Sequence, residues 1–278
     1  MEVAFALIIG LVIGSFLNVV IVRLPHGVSI TTPRSRCPQC QQLIAWHDNI
    51  PVLSYLILGA RCRRCHQKIS ARYPLIEALS GVVSVLLYFK FGISVEWGIF
   101  FVFSAALIVL AFIDLDHRIL PDIITLNGIW AGVVANVYLA QPNPFMTRLF
   151  RTAGLAGANS LLIPLAASLL GALIGGGLLW GVAEVYLRLR GIEGMGLGDV
   201  KMMAMVGAFL GAPHALLTIM LGSLVGSVIG LLFIRLADKT REYELPFGTF
   251  LSFAGIVAVL YGDAMLRWYI QTFMPPGI

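Results

Sequence analysis

The feature that most constrains this chain is a series of long apolar runs, several of which reach the roughly 20 residues needed to cross a bilayer. Hydrophobic residues make up 59% of the 278 residues and charged residues only 12%, whereas a soluble domain carries about 25% charged residues. The pattern therefore predicts an all-α integral membrane protein and excludes a large soluble core. About eight transmembrane helices are expected, at roughly 3–22, 73–91, 97–114, 122–140, 161–187, 200–211, 214–235 and 248–270.

Two of these runs need comment. The sixth is short and is followed by Gly211-Ala212-Pro213, a sequence that breaks helices. The first is expected to remain in the mature protein, because Glu2 stands where a signal peptide has basic residues and no A-x-A-like cleavage site precedes Asn18. Glycines in the C-terminal half are expected to let helices pack closely. They are Gly171, Gly175, Gly176, Gly177, Gly207, Gly211, Gly222, Gly226 and Gly230.

The distribution of basic residues predicts the orientation in the membrane. The one sizeable polar segment, 23–72, holds eight Lys and Arg residues, and such loops stay in the cytoplasm. With that loop cytoplasmic, 15 of the 19 Lys and Arg residues fall on the same side. Topology and anionic lipid head groups thus explain the net charge of +5. Nucleic acid is not expected as a partner, because the basic residues are not interleaved with exposed aromatic residues.

The cytoplasmic loop carries a metal-binding pattern. Its four cysteines form two C-x2-C pairs with 21 residues between the pairs, namely Cys37, Cys40, Cys62 and Cys65. Four thiolates suit one tetrahedral zinc ion in a closed site, so the metal is expected to hold the loop together rather than to catalyse. Reduced free thiols are the alternative, since disulfides rarely persist in the cytoplasm. His47 and His66 are expected on the surface.

Two carboxylates stand at the ends of apolar runs. Asp114 directly follows the apolar run from Trp97 to Ile113. Asp199 lies in the segment Gly194–Lys201 and borders a later apolar run. A carboxylate facing lipid costs roughly 2.5–3.5 kcal/mol on insertion scales, so both are expected at an interface, in a wet cavity or paired. Both fall on the predicted cytoplasmic side. A pair of carboxylates from different spans can share one proton and supply one acid and one base, as in an aspartyl hydrolase.

The neighbouring polar residues have plainer interpretations. Asp122 follows Pro121 and is expected to start a helix, and Asp199 could be an ordinary N-cap of a helix starting at Val200. Asp116 lies two residues from Asp114, so on a regular helix it points about 200° away, towards the surface or behind the site. His117 and Arg118 are expected at the cytoplasmic face.

Six motifs follow one another along the chain. They are Gly14-Ser15-Phe16-Leu17-Asn18 with Arg23-Leu24-Pro25, the two cysteine pairs, Ile69 to Glu77, Asp114-Leu115-Asp116-His117 with Leu120-Pro121-Asp122, Gly196-Leu197-Gly198-Asp199, and Glu244-Leu245-Pro246-Phe247-Gly248. Taken in this order, over about residues 10 to 250, they resemble the type IV prepilin peptidase family. The GxGD motif that contains Asp199 is shared with presenilin-like intramembrane aspartyl proteases. Two departures are Thr249, where the family often has Pro, and Ala60, where it often has Gly.

The resemblance implies an activity. Asp114 and Asp199 would be the catalytic pair that cleaves leader peptides of type IV prepilins and type II secretion pseudopilins, after a glycine and at the cytoplasmic face of the bacterial inner membrane. The long, four-cysteine form also N-methylates the new N-terminus with S-adenosylmethionine. No Rossmann-type glycine fingerprint supports this second activity. Asn18 and Glu77 are candidates for the methyl-donor site because they flank the loop, and Glu77 could instead pair with a basic group. The implied division is residues 1–22 as the first transmembrane helix, 23–72 as the methyltransferase-associated zinc loop, and 73–278 as the peptidase core.

Two other classes of function predict different features. A transporter or channel predicts inverted repeats and carboxylates near mid-membrane, but no repeat is visible and the acids cluster at one face. A membrane scaffold that docks partners through its zinc loop would leave Asp114 and Asp199 without a joint role. Both alternatives fit the sequence less well than a hydrolase.

Overall fold

The computed structural model describes residues 1–139, 152, 161–192, 194–237 and 245–273, and this part of the chain is helical. It contains no strand within those ranges, only two isolated β-bridges in the cysteine loop. The predicted all-α class is therefore confirmed. The described helices are α1 Glu2–Arg23, α2 Leu53–Ile57, α3 Arg72–Phe91, α4 Val95–His117, α5 Asp122–Leu139, α6 Leu162–Arg190, α7 Leu197–Ala237 and α8 Phe247–Phe273. Residues 141–160, between the predicted fourth and fifth helices, lie outside the described residues apart from Thr152.

Seven helices of the described part are long and apolar enough to cross a membrane, which makes this a multi-pass membrane protein. They are all the described α-helices except the five-residue α2. Their bounds agree with the hydropathy prediction to within a few residues, since chain hydrophobicity determines which segments can leave water. The number differs from the predicted eight because α7 joins the predicted sixth and seventh helices.

Helix α7 is a hairpin with two arms. Gly211 has a non-helical conformation (φ 77°, ψ 170°), and Pro213 follows it. A Cβ built on Gly175 of α6 would contact both the carbonyl oxygen of Met203 and the Cβ of Ala215. Twelve residues of straight helix would separate those two by about 18 Å, so the chain must reverse direction at Gly211. The two arms correspond to the predicted segments 200–211 and 214–235.

The chain divides into two compact units, Met1–Ile113 and Asp114–Ile278. In the first unit α1 and α3 pack side by side with their directions opposed. The Ser84 hydroxyl donates to the Ala6 carbonyl over 2.7 Å near one end, and the Asn18 amide donates to the Tyr73 carbonyl over 3.1 Å near the other. A Cβ built on Gly10 would lie 2.7 Å from the Cα of Gly81, so the two helices are in close contact there.

The second unit is built around contacts between α6 and the first arm of α7. Gly171 and Gly207 face each other so closely that a Cβ on either would collide with the other's backbone. The Ser168 hydroxyl donates to the Ala208 carbonyl over 2.7 Å, which joins the same two helices. Helix packing by these glycines is thus confirmed. The prediction was wrong for Gly177, because a Cβ there would meet nothing within 4 Å.

Candidate active site

Asp114 lies in the last turn of α4 and is buried, with 5% of its surface exposed. Its Oδ2 accepts two hydrogen bonds from one residue of α8, Thr249: the backbone N–H donates over 2.7 Å and the side-chain hydroxyl over 3.0 Å. Thr249 is the third residue of α8, and backbone N–H groups in the first turn of a helix have no partner within that helix. Asp114 therefore acts as a cap for α8.

Asp199 lies in the first turn of α7 and is also buried, with 9% of its surface exposed. The helix begins at Leu197, so Asp199 is its third residue and not the N-cap of a helix starting at Val200. Its Oδ1 has no hydrogen-bond partner among the described residues. A buried polar atom without a partner is costly in free energy and is typical of functional sites.

Gly248 lies where the two carboxyl groups meet. A Cβ built on this residue would lie 3.0 Å from Asp199 Oδ1 and 3.1 Å from Asp114 Cγ, so both carboxyl groups face the same point on the backbone of α8. Only a residue without a side chain leaves this space free. Two buried carboxyl groups that face one point can hold one proton between them and act on a water molecule as base and acid.

The other acidic residues of the region lie away from this point. Asp116 is exposed, as are His117 and Arg118, in agreement with the prediction that they occupy the surface. Asp122 is the first residue of α5, as predicted, and accepts hydrogen bonds from Lys201 Nζ over 2.8 and 2.9 Å. This ion pair joins the starts of α5 and α7, and Lys201 is two residues from Asp199.

The four cysteines form one cluster. The Sγ atoms of Cys37, Cys40, Cys62 and Cys65 all lie within 4.8 Å of one another, and Cys37 and Cys65 are 3.8 Å apart. A tetrahedral zinc ion with Zn–S bonds of about 2.3 Å places its sulfur ligands about 3.8 Å apart, so the cluster fits one ion. His47 and His66 are exposed and lie outside the cluster, as expected.

The two halves of the cysteine loop repeat one backbone structure with an offset of 25 residues. The N–H of Cys37 donates to Gln42 and that of Cys62 to Gln67, at 3.0 and 2.9 Å. A β-bridge closes each turn, Arg36 with Leu43 and Arg61 with Lys68. The fifth residue of each turn has positive φ, 56° at both Gln41 and His66. Each half thus presents two thiols from a tight turn.

Backbone hydrogen bonds favour the thiolate form of one cysteine in the cluster, and a thiolate is the form that binds a cation. Backbone N–H groups of Cys65 and Arg64 lower the pKa of the Cys62 thiol to about 7. For Cys65 the backbone N–H of Gln67 acts in the same direction, but burial and the three neighbouring cysteines outweigh it and raise its pKa to about 11. Four thiols in contact cannot all ionise together without a positive charge between them, and a metal ion supplies that charge.

Asn18 and Glu77 line the same cavity. It has a volume of about 690 Å³ and lies entirely within the first unit, between α1, the cysteine loop and the start of α3. Glu77 Oε2 accepts a 2.7 Å hydrogen bond from the backbone N–H of Val52 in the loop. Val52 has φ 59°, an uncommon conformation for a β-branched residue. The sequence shows neither this contact nor the cavity, because both depend on how the loop folds over α1 and α3.

The contacts of Thr249 and Gly248 at the aspartates could not be predicted from the sequence. The only sign of them is that both residues belong to or adjoin the matched segment before the last helix, where Thr249 departs from the family. Within that segment Leu245 to Gly248 are described, whereas Glu244 lies outside the described residues.

The fold and site define a multi-pass membrane protein with a buried pair of carboxyl groups and a four-cysteine loop. Comparison with known families agrees. Residues 8–91 match the bacterial peptidase A24 N-terminal domain, and residues 101–231 match the type IV leader peptidase family. No solved structure matches the chain.

Several curated relatives share one name. Proteins named prepilin leader peptidase/N-methyltransferase are 34% identical in Pseudomonas aeruginosa, 37% in Aeromonas hydrophila and 32% in Legionella pneumophila. Each match covers 95% of this chain, and 92%, 92% and 93% of the respective relative. The chain therefore belongs to the type IV leader peptidase family, within the group named prepilin leader peptidase/N-methyltransferase.

Proposed function

We propose that this chain is an aspartic endopeptidase of the membrane that removes the leader peptides of type IV prepilins and type II secretion pseudopilins. The observation that carries the proposal is that the carboxyl groups of Asp114 and Asp199 face one point beside Gly248. The names of the relatives, prepilin leader peptidase/N-methyltransferase, support the choice of substrate.

The chemistry needs no covalent intermediate. One carboxylate of the pair removes a proton from a water molecule, which attacks the scissile carbonyl, while the other carboxyl group protonates the developing oxyanion. Breakdown of the tetrahedral intermediate then returns a proton to the leaving amine. The absence of a side chain at Gly248 leaves room for the extended backbone of the substrate beside the pair.

The proposed substrates set the side of the membrane on which the reaction occurs. A prepilin has a short basic leader followed by a hydrophobic helix, so the helix would lie in the bilayer and the leader at its surface. The distribution of Lys and Arg supports an inner-membrane location with the pair and the cysteine loop at the cytoplasmic face. Cleavage after a glycine rests on the resemblance to the family.

The test uses membranes that carry wild type, Asp114→Asn or Asp199→Asn, mixed with a prepilin, with protein amounts checked by blot. Each substitution is expected to reduce cleavage by roughly 10³-fold or more, because it removes one partner of the acid–base pair. Asp116→Asn is the matched control, since this exposed carboxylate is on the same helix. Normal cleavage by either pair variant would exclude a catalytic role for that residue and leave Asp116 or Asp122 as the candidate in its place.

A structural zinc ion is proposed for the cysteine cluster. Cys37, Cys40, Cys62 and Cys65 would hold it, and a closed four-sulfur site leaves no position for substrate. Its contribution would be to join the two halves of the loop. Metal analysis of purified protein is expected to find one zinc per chain in wild type and none in Cys62→Ser. A full zinc content in that variant would contradict the assignment.

We also propose that the 690 Å³ cavity of the first unit binds S-adenosylmethionine for methylation of the new N-terminus. The methyl donor carries a sulfonium and an ammonium group, and Glu77 supplies a carboxylate in the cavity wall. Asn18 adds an amide at the same wall. On this proposal, residues 23–72 form the methyltransferase-associated loop after the first transmembrane helix, 1–22, and residues 73–278 form the peptidase core.

Binding of radiolabelled S-adenosylmethionine to purified protein tests this site without reference to turnover. Glu77→Gln is expected to weaken binding about tenfold or more, because it removes a charged partner of a cation from a partly buried site. Glu2→Gln is the control, since Glu2 is a carboxylate of the same unit at the other end of α1, where it accepts a hydrogen bond from Tyr88. Equal binding by both variants would contradict the assignment.

A further inference from the structure

The two carboxyl groups of the pair have unequal surroundings. Asp114 Oδ2 accepts two short hydrogen bonds, from the N–H and the hydroxyl of Thr249. Asp199 Oδ1 is buried and has no partner among the described residues. Hydrogen bonds to an ionised acceptor are shorter and stronger than those to a neutral one. The residue that receives them is the better place for the negative charge.

Other charges near the pair modify this asymmetry but do not reverse it. Arg118, four residues after Asp114 and just beyond the end of α4, favours a negative charge on Asp114 electrostatically. Asp199 lies at the N-terminal end of α7, where the helix dipole favours an anion, whereas Asp114 lies at the C-terminal end of α4, where it does not. A helix end contributes less than two direct hydrogen bonds to a buried carboxylate.

The other charged groups at this end of the unit either form an ion pair or are exposed. Asp122 and Lys201, at the starts of α5 and α7, pair with each other. Asp116 and His117 are exposed near the end of α4. The described first turn of α8, Phe247 to Phe250, contains no charged residue. Thr249 is therefore the group on α8 that distinguishes the two carboxyl groups.

We infer that Thr249 is a positioning residue that makes Asp114 the charged base of the pair and leaves the proton on Asp199, the acid. The inference rests on the proposed function and extends it, since the roles within the pair are otherwise unassigned. In this arrangement Asp114 removes the proton from the attacking water, and Asp199 donates its proton to the carbonyl oxygen. The proton on Asp199 also removes the repulsion between two negative charges.

The test is the pH dependence of kcat/KM for prepilin cleavage in Thr249→Val and Thr249→Pro. Valine has the shape of threonine and keeps the N–H but removes the hydroxyl, whereas proline removes both donors. Proline is tolerated in the first turn of a helix. Both limbs of the profile belong to the pair as a whole. With Asp114 as the charged member, each lost donor makes the first ionisation of the pair harder.

The acid limb is therefore expected to move to higher pH, by about 0.5–1 pH unit in Thr249→Val and about 1–2 pH units in Thr249→Pro. The alkaline limb should stay in place. Thr249→Ser keeps both donors and should retain the wild-type profile. Thr218→Val is the matched control, because Thr218 is a buried threonine whose hydroxyl donates only within its own helix, to His214.

A shift of the alkaline limb instead of the acid limb would assign the negative charge to Asp199 and overturn the inference. Wild-type pH profiles in both Thr249→Val and Thr249→Pro would also overturn it. Infrared spectra give a readout that does not depend on turnover. The C=O band of a protonated, buried carboxyl group should disappear in Asp199→Asn and persist in Asp114→Asn. If Asp114→Asn and Asp199→Asn abolish cleavage but the Thr249 variants change nothing, the proposed function stands and this inference fails. If the Asp→Asn variants still cleave, both fail.

Discussion

The cysteine loop and the aspartate pair are built on different principles. In the loop, two short segments each bring their own pair of ligands, and the same turn occurs twice with a 25-residue offset. The aspartate pair draws on the end of α4, the start of α7 and the start of α8, and no single segment contains more than one of the three parts. A site of the first kind can be recognised from spacing alone, whereas a site of the second kind exists only after the helices have packed.

Apart from the aspartates themselves, the largest effect is expected at the point where α8 contacts the pair. In Gly248→Ala the added Cβ would lie about 3 Å from Asp199 Oδ1, Asp114 Cγ and Leu120 Cδ1. Because displacement of a reacting group by about 1 Å can cost 10²-fold, prepilin cleavage should fall by about that factor or more. Methylation of a pre-cleaved substrate should be unchanged.

Gly226→Ala provides the matched control for this prediction, since it introduces the same methyl group on a helix in the same unit, against the flexible ring of Phe250 at 3.2 Å. Its cleavage rate should stay close to wild type. Equal losses in the two variants would show that the effect of Gly248→Ala is one of packing and not of the active site.

Removal of the proposed zinc ion is expected to have the next largest effect, and it distinguishes the two regions. Treatment with a chelator, or Cys37→Ser, is expected to make residues 23–72 sensitive to protease, because binding energy in such closed sites is also folding energy. Methylation should be lost, while cleavage should fall far less, since cysteines and aspartates are on separate segments. Complete loss of cleavage in Cys37→Ser with the protein still folded would contradict this separation.

A smaller effect is expected where α6 crosses α7. Gly171→Ala places a methyl group against the backbone of Gly207, and overpacking of this kind costs about 1–3 kcal/mol of folding free energy. The measurement is thermal unfolding in detergent. Gly177→Ala on the same helix meets no atom within 4 Å and should be neutral or slightly stabilising. Similar destabilisation by both would show that α6 and α7 are not held by this contact.

The smallest effect is expected in the loop at Asp48. Arg63 donates three hydrogen bonds to this carboxylate and, mainly through them, lowers its pKa. A lowered pKa in the folded state stabilises the loop fully above the unfolded value of about 3.9, and this contribution is lost as pH falls through the lower, folded-state pKa. Protease resistance of the loop should therefore be slightly lower in Asp48→Asn than in wild type near pH 7. A difference that stays the same at a pH low enough to protonate Asp48 in the folded protein would contradict the ion-pair explanation.

The bounds of the membrane helices could be predicted from the sequence to within a few residues, because apolar length alone decides which segments can span a bilayer. The sequence also identified the four cysteines, whose spacing is a property of the loop itself. It did not reveal that Gly211 reverses the chain, although Gly211-Ala212-Pro213 was recognised as a break. The direction taken after a break depends on what the second arm packs against, here Gly175 and Leu251.

The contacts made by Thr249 and Val52 could not be predicted from the sequence, for the same reason. Each donates a backbone N–H to a carboxylate that is far away along the chain, Asp114 and Glu77 respectively. Any residue other than proline has such a donor, so the amino-acid type at the donor position carries almost no information about the bond. Only the acceptors, two acidic residues in apolar surroundings, could be singled out beforehand.

The hydrogen bond from Asn18 to the Tyr73 carbonyl shows that the chain leaves the membrane helices and returns to them at nearly the same place. The fifty residues in between therefore form an excursion whose two ends are adjacent. A few residues would suffice to connect α1 to α3 directly, and a longer excursion would fit equally well. Evolution could thus lengthen, replace or delete this module without moving α1 relative to α3.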